Sequence, residues 1–249
     1  MTITKLEKLS NRAQPAPDVE HYDGWRLRFA AGYTRRANSV HTLDGSSLPL
    51  SEKIAYCEKR YTDAGQRVIF KMTDAVIPSN LDSVLAERGY QREGETGVFL
   101  LDIRDKAFAP ADNAHCSETL QETWLADYCR LNAVPADHQQ TLQKMLTCIE
   151  PECCFLSLYD RQENCIGVAL GVIEDDTAGI FDVVVDSQQR KQGYGRQLMQ
   201  HLLAWSKNQG AEQVYLQVTA TNTPARALYQ QIGFEDIYQY WYRTKDLRP

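Results

Sequence analysis

Hydrophobic and polar positions switch period within a short stretch of the chain. From Val183 to Met199, "VVVDSQQRKQGYGRQLM", three β-branched residues run into a polar loop with glycines at 193 and 195, and apolar positions resume from Leu198. β-Branched runs suit strands and a 3.6-residue period suits a helix. The pattern therefore predicts a strand over Phe181–Val185 and a helix over Gly195–Gln209 with Leu198, Met199, Leu202, Leu203 and Trp205 on its inner face. "EQVYLQVT" from Glu212 predicts the next buried strand. "TNTPARALYQQIGF" then predicts a helix with Thr223 as N-cap, Pro224 at its first position and Gly233 just past its end. Ala225, Leu228, Tyr229 and Ile232 fall on one face of that helix.

Earlier in the chain, "GWRLRFAAGYTRRANSV" reads as a hairpin turning near Ala31-Gly32, and Leu120–Asn132 and Gln139–Cys148 read as helices. "CCFLSLYD" and "CIGVALGVIED" read as paired strands turning at "RQEN". Antiparallel neighbours followed by strand-helix-strand units predict an α/β protein with a mixed (α+β) sheet. Between Arg104 and His115 periodicity gives way to Pro, Asp and Asn, which predicts a linker over 104–115 between domains at 1–103 and 116–249. The two sides of that linker resemble each other. "GQRVIFKMT" from Gly65 follows a helix over Ser51–Ala64 and leads through a proline turn and a short helix to Gly89-Tyr90, as "EQVYLQVT" leads to Gly233-Phe234. The first copy has "LDGSSLPLSEK" where the second has its glycine loop.

The 249 residues, 43% hydrophobic and 24% charged, have ordinary globular composition and enough length for two cores. A formal charge of −6 is no overall footprint for nucleic acid or an anionic membrane, and no apolar run approaches the span of a bilayer, so a soluble cytoplasmic protein is expected. Seven scattered cysteines without a C-x-x-C pair predict reduced, mostly buried thiols and no metal site. His21, His41, His115, His138 and His201 are expected to be solvated.

A glycine loop opening a helix offers free amide groups and the positive end of the helix dipole, which together with Arg190, Lys191 and Arg196 would suit a phosphate. A plain strand-to-helix turn uses the same residues. The loop is neither Gly-Lys-Ser/Thr nor G-x-G-x-x-G.

Two motifs break the tie. Arg190, Gly193 and Gly195 match Q/R-x-x-G-x-G/A, and Asn222, Ala225, Leu228, Tyr229, Gly233 and Phe234 match Asn-x-x-Ala-x-x-Leu-Tyr with a following Gly-Phe. The chain resembles the GCN5-related N-acetyltransferases over Cys116 to Lys245, and its first half looks like the degenerate copy of tandem members, a truncated version of the same fold. The resemblance implies acetyl-coenzyme A as cosubstrate. The backbone of the cofactor strand, Val183 and Val185 included, would meet the pantetheine arm. Loop amides over Lys191, Gln192, Gly193, Tyr194, Gly195 and Arg196, with Arg190, would hold the pyrophosphate, and Asn222 would touch the cofactor. It also implies direct attack by an amine in a ternary complex, with backbone amides on the developing oxyanion and Tyr229 protonating the departing thiolate.

Asp182 either faces the acceptor or caps a sheet edge. The ribosomal-protein members carry a glutamate base where this chain has Gln217, which takes no proton at neutral pH; Asp182 is then the leading substitute. Ser187 replaces the family's usual proline. The expected function is acetyl transfer to a small-molecule or peptide amine. A non-catalytic acyl-coenzyme A sensor, a mycothiol-synthase-like enzyme and a homodimer stay open.

Overall fold

The computed structural model describes residues 1–45, 47–110 and 112–248, which divide into two compact units: residues 1–97 with 238–248, and residues 98–237. No helix among them is long and apolar enough to cross a membrane.

The first unit starts with helix α1 (Ile3–Ala13), whose side chain N-cap is Thr2, accepting the Lys5 amide at 3.2 Å. Strands β1 (Asp18–Tyr22) and β2 (Trp25–Phe29) form a hairpin closed by Asp23 and Gly24, both at positive φ, 43° and 79°. Asp-Gly is the residue pair such a two-residue turn favours, because glycine and aspartate tolerate the left-handed backbone. Strand β3 (Val40–His41) pairs antiparallel with β2. The hairpin expected at Ala31-Gly32 is thus a wider reversal through residues 30–39, with a short 3-10 turn at Arg35–Ala37 and Asn38 Oδ1 accepting the Ala30 and Gly32 amides.

Helix α2 (Leu50–Asp63) connects β3 to strand β4 (Val68–Met72), which runs parallel to β3. Its inward Ile54, Cys57 and Tyr61 recur at helical spacing and pack on Trp25, Leu27, Val68 and Phe70. Helix α3 (Leu81–Glu87) leads into β5 (Gln91–Asp102), along which the chain passes into the second unit. The strand next to β4 comes from the far end of the chain: β11 (Glu235–Lys245) pairs with it antiparallel, Trp241 opposite Met72 and Lys245 opposite Val68. Residues from Tyr238 therefore belong with the first unit, whereas the sequence placed all of 116–249 together.

The second unit has strand order β5-β10-β9-β8-β7-β6. Strand β6 (Ala114–Ser117) begins inside the stretch expected to be linker and pairs with β7 (Glu152–Tyr159). Between them lie helices α4 (Glu122–Leu131) and α5 (Ala136–Thr147). Strands β8 (Cys165–Glu174) and β9 (Thr177–Val185) continue the antiparallel meander, and β10 (Gln213–Thr219) runs parallel to β9 through helix α6 (Tyr194–Asn208). Helix α7 (Thr223–Ile232) precedes β11. The order β9-α6-β10-α7-β11 thus repeats β3-α2-β4-α3-β5. The core gathers Leu198, Met199, Leu202 and Leu203 of α6 against Leu156, Ala169, Ile180 and Leu216, with Ala225, Leu228, Tyr229 and Ile232 of α7.

Two side-chain expectations are corrected. Cys116 and Cys154, neighbours across β6 and β7 with Cα atoms 5.4 Å apart, are joined as a disulfide; Cys57, Cys129, Cys153 and Cys165 are free and buried, and Cys148 is free and exposed. His41 is buried rather than solvated: Asn11 Nδ2 and Ser39 Oγ each lie 3.2 Å from its ring nitrogens, and burial together with the nearby Arg28 and Lys71 charges holds its pKa well below that of a free histidine. His138 and His201 are half-buried; His21 and His115 are exposed.

Candidate active site

Strand β9 has neighbours on both edges only as far as Ile180. Its parallel pairing with β10 runs from Thr177 opposite Gln213 to Ile180 opposite Leu216, while its pairing with β8 continues to Val185. Beyond Ile180 the β10-facing edge of β9 leaves the ladder, so the peptide groups over Phe181–Val185 offer an extended ligand the bonds a further strand would make. Val183 and Val185 are half-buried there.

A β-bulge lies in the same stretch. Ala169 of β8 is faced by two residues, Asp182 and Val183, and Asp182 has φ 52°. A left-handed non-glycine residue costs about 1–3 kcal/mol and persists where its surroundings hold it, and here the side chain is held. Tyr128 Oη of α4 donates to Asp182 Oδ1 at 3.1 Å, and Asn132 Nδ2 donates to Tyr128 Oη at 3.0 Å. The bulge takes Asp182 out of regular strand geometry, and its carboxylate is tied to α4 through Tyr128.

After β9, Asp186 Oδ1 accepts the Gln188 amide at 2.8 Å and opens a 3-10 turn at Ser187–Gln189, so a proline at 187 is not needed to bend the chain. Arg190, Lys191 and Gln192 are exposed; Gln192 Nε2 donates to Gln189 Oε1 at 3.0 Å. Gly193, at φ 88°, is the N-cap of α6 without a capping side chain. Its carbonyl accepts the first helical bonds, from Arg196 and Gln197 at 3.0 and 3.1 Å. The amides of Tyr194 and Gly195 come before any intrahelical acceptor. The two glycines serve different needs. A Cβ on Gly193 would meet nothing within 4 Å, so that position requires glycine for its backbone and has open space beside it; a Cβ on Gly195 would lie 3.4 Å from Leu228 Cδ2 of α7. Arg196 also ties α6 to α7, donating to Gln231 Oε1 at 2.8 Å.

The N-cap of α7 is Asn222, not Thr223: its Oδ1 accepts the Ala225 amide at 3.3 Å, and Pro224 follows in the first turn. That bond engages the Asn222 side-chain oxygen in its own helix. Tyr229 lies on the inner face of α7, 8% exposed, its ring edge-on to Phe234 at 6.1 Å. Burial alone pushes its phenol up to about 12, so it is protonated throughout the neutral range. Gln217 lies half-buried on β10, beyond the last β9 pair. The loop from Arg190 to Gly195 follows the C-terminal end of β9 and the Asn222 cap follows that of β10, while Gly233 and Phe234 lie past the far end of α7. Tyr128 and Asn132 were missed, since two polar residues four apart on an amphipathic helix carry no signal that they meet a strand residue far along the chain.

A family model described as the C-terminal part of the probable histone acetyltransferase Rv0428c matches residues 1–243. The chain belongs to this family of GCN5-related N-acetyltransferases. It is 29% identical to the uncharacterized N-acetyltransferase YobR of Bacillus subtilis over 249 residues, 98% of each chain. It is 37% identical to the ribosomal protein bS18-alanine N-acetyltransferase of Escherichia coli K12 over 75 residues, 29% of this chain and 51% of that one. Among solved structures, a tandem GNAT protein from the clavulanic acid biosynthesis pathway aligns with TM-score 0.69 at 12% identity, over 98% of this chain and 88% of that one. A GCN5-related N-acetyltransferase from Kribbella flavida aligns with TM-score 0.66 at 10% identity, over 96% and 95%. The family relation spans both units, not only Cys116 to Lys245. The protein is an acyltransferase acting on an amine.

Proposed function

We propose that the second unit binds acetyl-coenzyme A and passes the acetyl group to an amine of low pKa, an α-amino group before a lysine side chain. The observation that carries this reading is the parting of β9 from β10 beside the glycine start of α6. The residues fit the cosubstrate. The free edge at Val183 and Val185 suits the amides of the pantetheine arm, and the open space at Gly193 leaves room for a pyrophosphate against the amides of Lys191 to Gly195. Arg190, Lys191 and Arg196 supply positive charge there, Gln192 and Tyr194 flank the approach, and Asn222 donates from α7.

When bound, acetyl-coenzyme A supplies an acyl carbon activated as a thioester. The amine nitrogen bonds to that carbon as the carbon–sulfur bond breaks. Asp182, directly or through a water, takes the proton the amine gives up, and the neutral phenol of Tyr229 gives a proton to the sulfur.

Binding is confined to the second unit because the first fills the equivalent place itself. The Asp23 carboxylate accepts the Ser47 and Leu48 amides ahead of α2 at 2.9 to 3.0 Å and pairs with the buried Lys53 at 3.2 Å; the amide bonds hold its pKa well below the usual carboxylate range. An internal anion sits where a phosphate would. Calorimetry with acetyl-coenzyme A is expected to give one site per chain. Gly193→Val, a β-branched residue forced to φ 88°, is expected to abolish binding. Two equivalent sites, or a variant that binds like the wild type, refutes the assignment.

Only a neutral amine attacks a thioester. A lysine side chain with pKa about 10.4 is neutral to roughly 0.1% at pH 7.5, and an α-amine near 7.8 to about one third. With glutamine at 217, thiol release measured against a panel of amines, amino acids, peptides and aminoglycosides is expected to favour α-amines at pH 7, while lysine-like amines improve steeply toward pH 9. A lysine side chain as the best acceptor, with a rate flat from pH 7 to 9 in both wild type and Asp182→Asn, overturns this reading.

A further inference from the structure

We infer that Tyr128 and Asn132 are positioning residues that hold Asp182 as a proton acceptor, an inference that rests on the role proposed for Asp182. A phenol has one proton, an amide NH2 only donates, and an ionised carboxylate only accepts. Asn132 Nδ2 donates to Tyr128 Oη, so the Tyr128 proton is committed to Asp182 Oδ1, and the chain of donors runs in one direction toward the carboxylate. That direction matches the ionised form of Asp182, the form that takes the amine's proton.

Tyr128 is suited to this by its fixed place. It is 4% exposed and stacked on Trp124, rings 5.4 Å apart and 4° from parallel. Trp124 is itself anchored, its Nε1 donating to the Leu156 carbonyl of β7 at 3.0 Å and its ring edge-on to Phe155. A rigid phenol from α4 thus meets the one β9 residue that the bulge turns out of strand geometry. The bond from Tyr128 helps to fix the carboxylate, and a base displaced by a fraction of an ångström loses rate without losing ligand affinity.

The test is a double-mutant cycle on the full chain, with acetyl-coenzyme A as donor and a peptide bearing a free N-terminal alanine, or the best amine of the panel, as acceptor probe. Tyr128→Phe keeps the ring and its stacking. It is expected to lower kcat about 10-fold, the scale of one hydrogen bond to a charged group, with the KM for acetyl-coenzyme A unchanged. Asn132→Ala is expected to act in the same direction and more weakly. In an Asp182→Asn background, Tyr128→Phe is expected to change kcat less than about 2-fold, because residues acting through one group are not additive.

If Asp182→Asn is impaired while Tyr128→Phe turns over like the wild type, the positioning role is wrong and the base survives. If Asp182→Asn itself is fully active, the base assignment falls and this inference with it. An equal loss from Tyr128→Phe in both backgrounds shows that Tyr128 acts apart from Asp182 and also overturns the inference. A wild type that acetylates no amine removes the transferase reading beneath both.

Discussion

Tyr229→Phe is expected to leave the affinity for acetyl-coenzyme A nearly unchanged and to lower turnover roughly 10- to 1000-fold, the range for losing a positioned acid. The side chain is buried on α7, and the substitution deletes one oxygen while keeping the ring against Phe234, so folding is not at issue. What disappears is a proton. A phenol raised by burial to about 12 is fully protonated at neutral pH, and near a departing thiolate it can give that proton up where bulk water is scarce. The measurement separates chemistry from binding: calorimetry for affinity, and single-turnover thiol release for the chemical step. Unchanged single-turnover rates with a competent acceptor would remove Tyr229 from the mechanism. A loss in affinity matching the loss in rate would instead make it a binding residue.

Much of the site was legible because it is local in sequence. The residues around the parting of β9 and β10 lie between Phe181 and Tyr229, and the loop, the helix start and the helix cap each depend on neighbours a few positions away. Gly193, read from the sequence as part of a loop that opens a helix, is the N-cap of α6 at φ 88°, a backbone that glycine takes without strain. Gly195 shows the limit of a local reading, since the space its hydrogen leaves goes to Leu228, a packing contact with another helix that no local pattern reveals.

What the sequence hid was long-range. β11 closes the sheet of the first unit by pairing with β4, more than half the chain away, so a boundary drawn from linker composition at 104–115 could not see the return of the C-terminal strand. The buried His41 was hidden for the same reason. Its polar partners come from Asn11 of α1 and from Ser39. The Asp-Gly pair at 23 and 24, by contrast, is a local signal for the β1–β2 turn. Asp23 then does two things at once: its backbone turns the hairpin, and its carboxylate accepts the Ser47 and Leu48 amides ahead of α2.

The same long-range closure leads to a stability prediction. Lys71 of β4 and Glu7 of α1 form an ion pair at 2.6 Å with side chains 3% and 1% exposed. Glu7 Oε1 also accepts from Tyr238 Oη of β11 at 2.8 Å, and the Lys71 ammonium lies 4.0 Å from the Tyr240 ring centroid. One carboxylate therefore joins the first helix, an inner strand and the last strand of the first unit. Taking both charges out of water is costly, and the pair offsets that cost only while it is complete. Glu7→Ala leaves an ammonium buried with an aromatic face and no counterion, and is expected to lose about 3–5 kcal/mol, a large share of the roughly 5–15 kcal/mol that holds a domain folded. Replacing both members, Glu7→Leu with Lys71→Met, removes the stranded charge and fills the space with apolar atoms. The double variant is expected to be markedly more stable than Glu7→Ala, and close to the wild type. Urea unfolding followed by tryptophan fluorescence, to which the fully buried Trp25 of the same unit contributes, reads the difference. If Glu7→Ala unfolds at the wild-type midpoint, water or another group reaches Lys71 and the pair is not the joint between these elements; if the double variant is as unstable as the single one, packing rather than the uncompensated charge sets the loss.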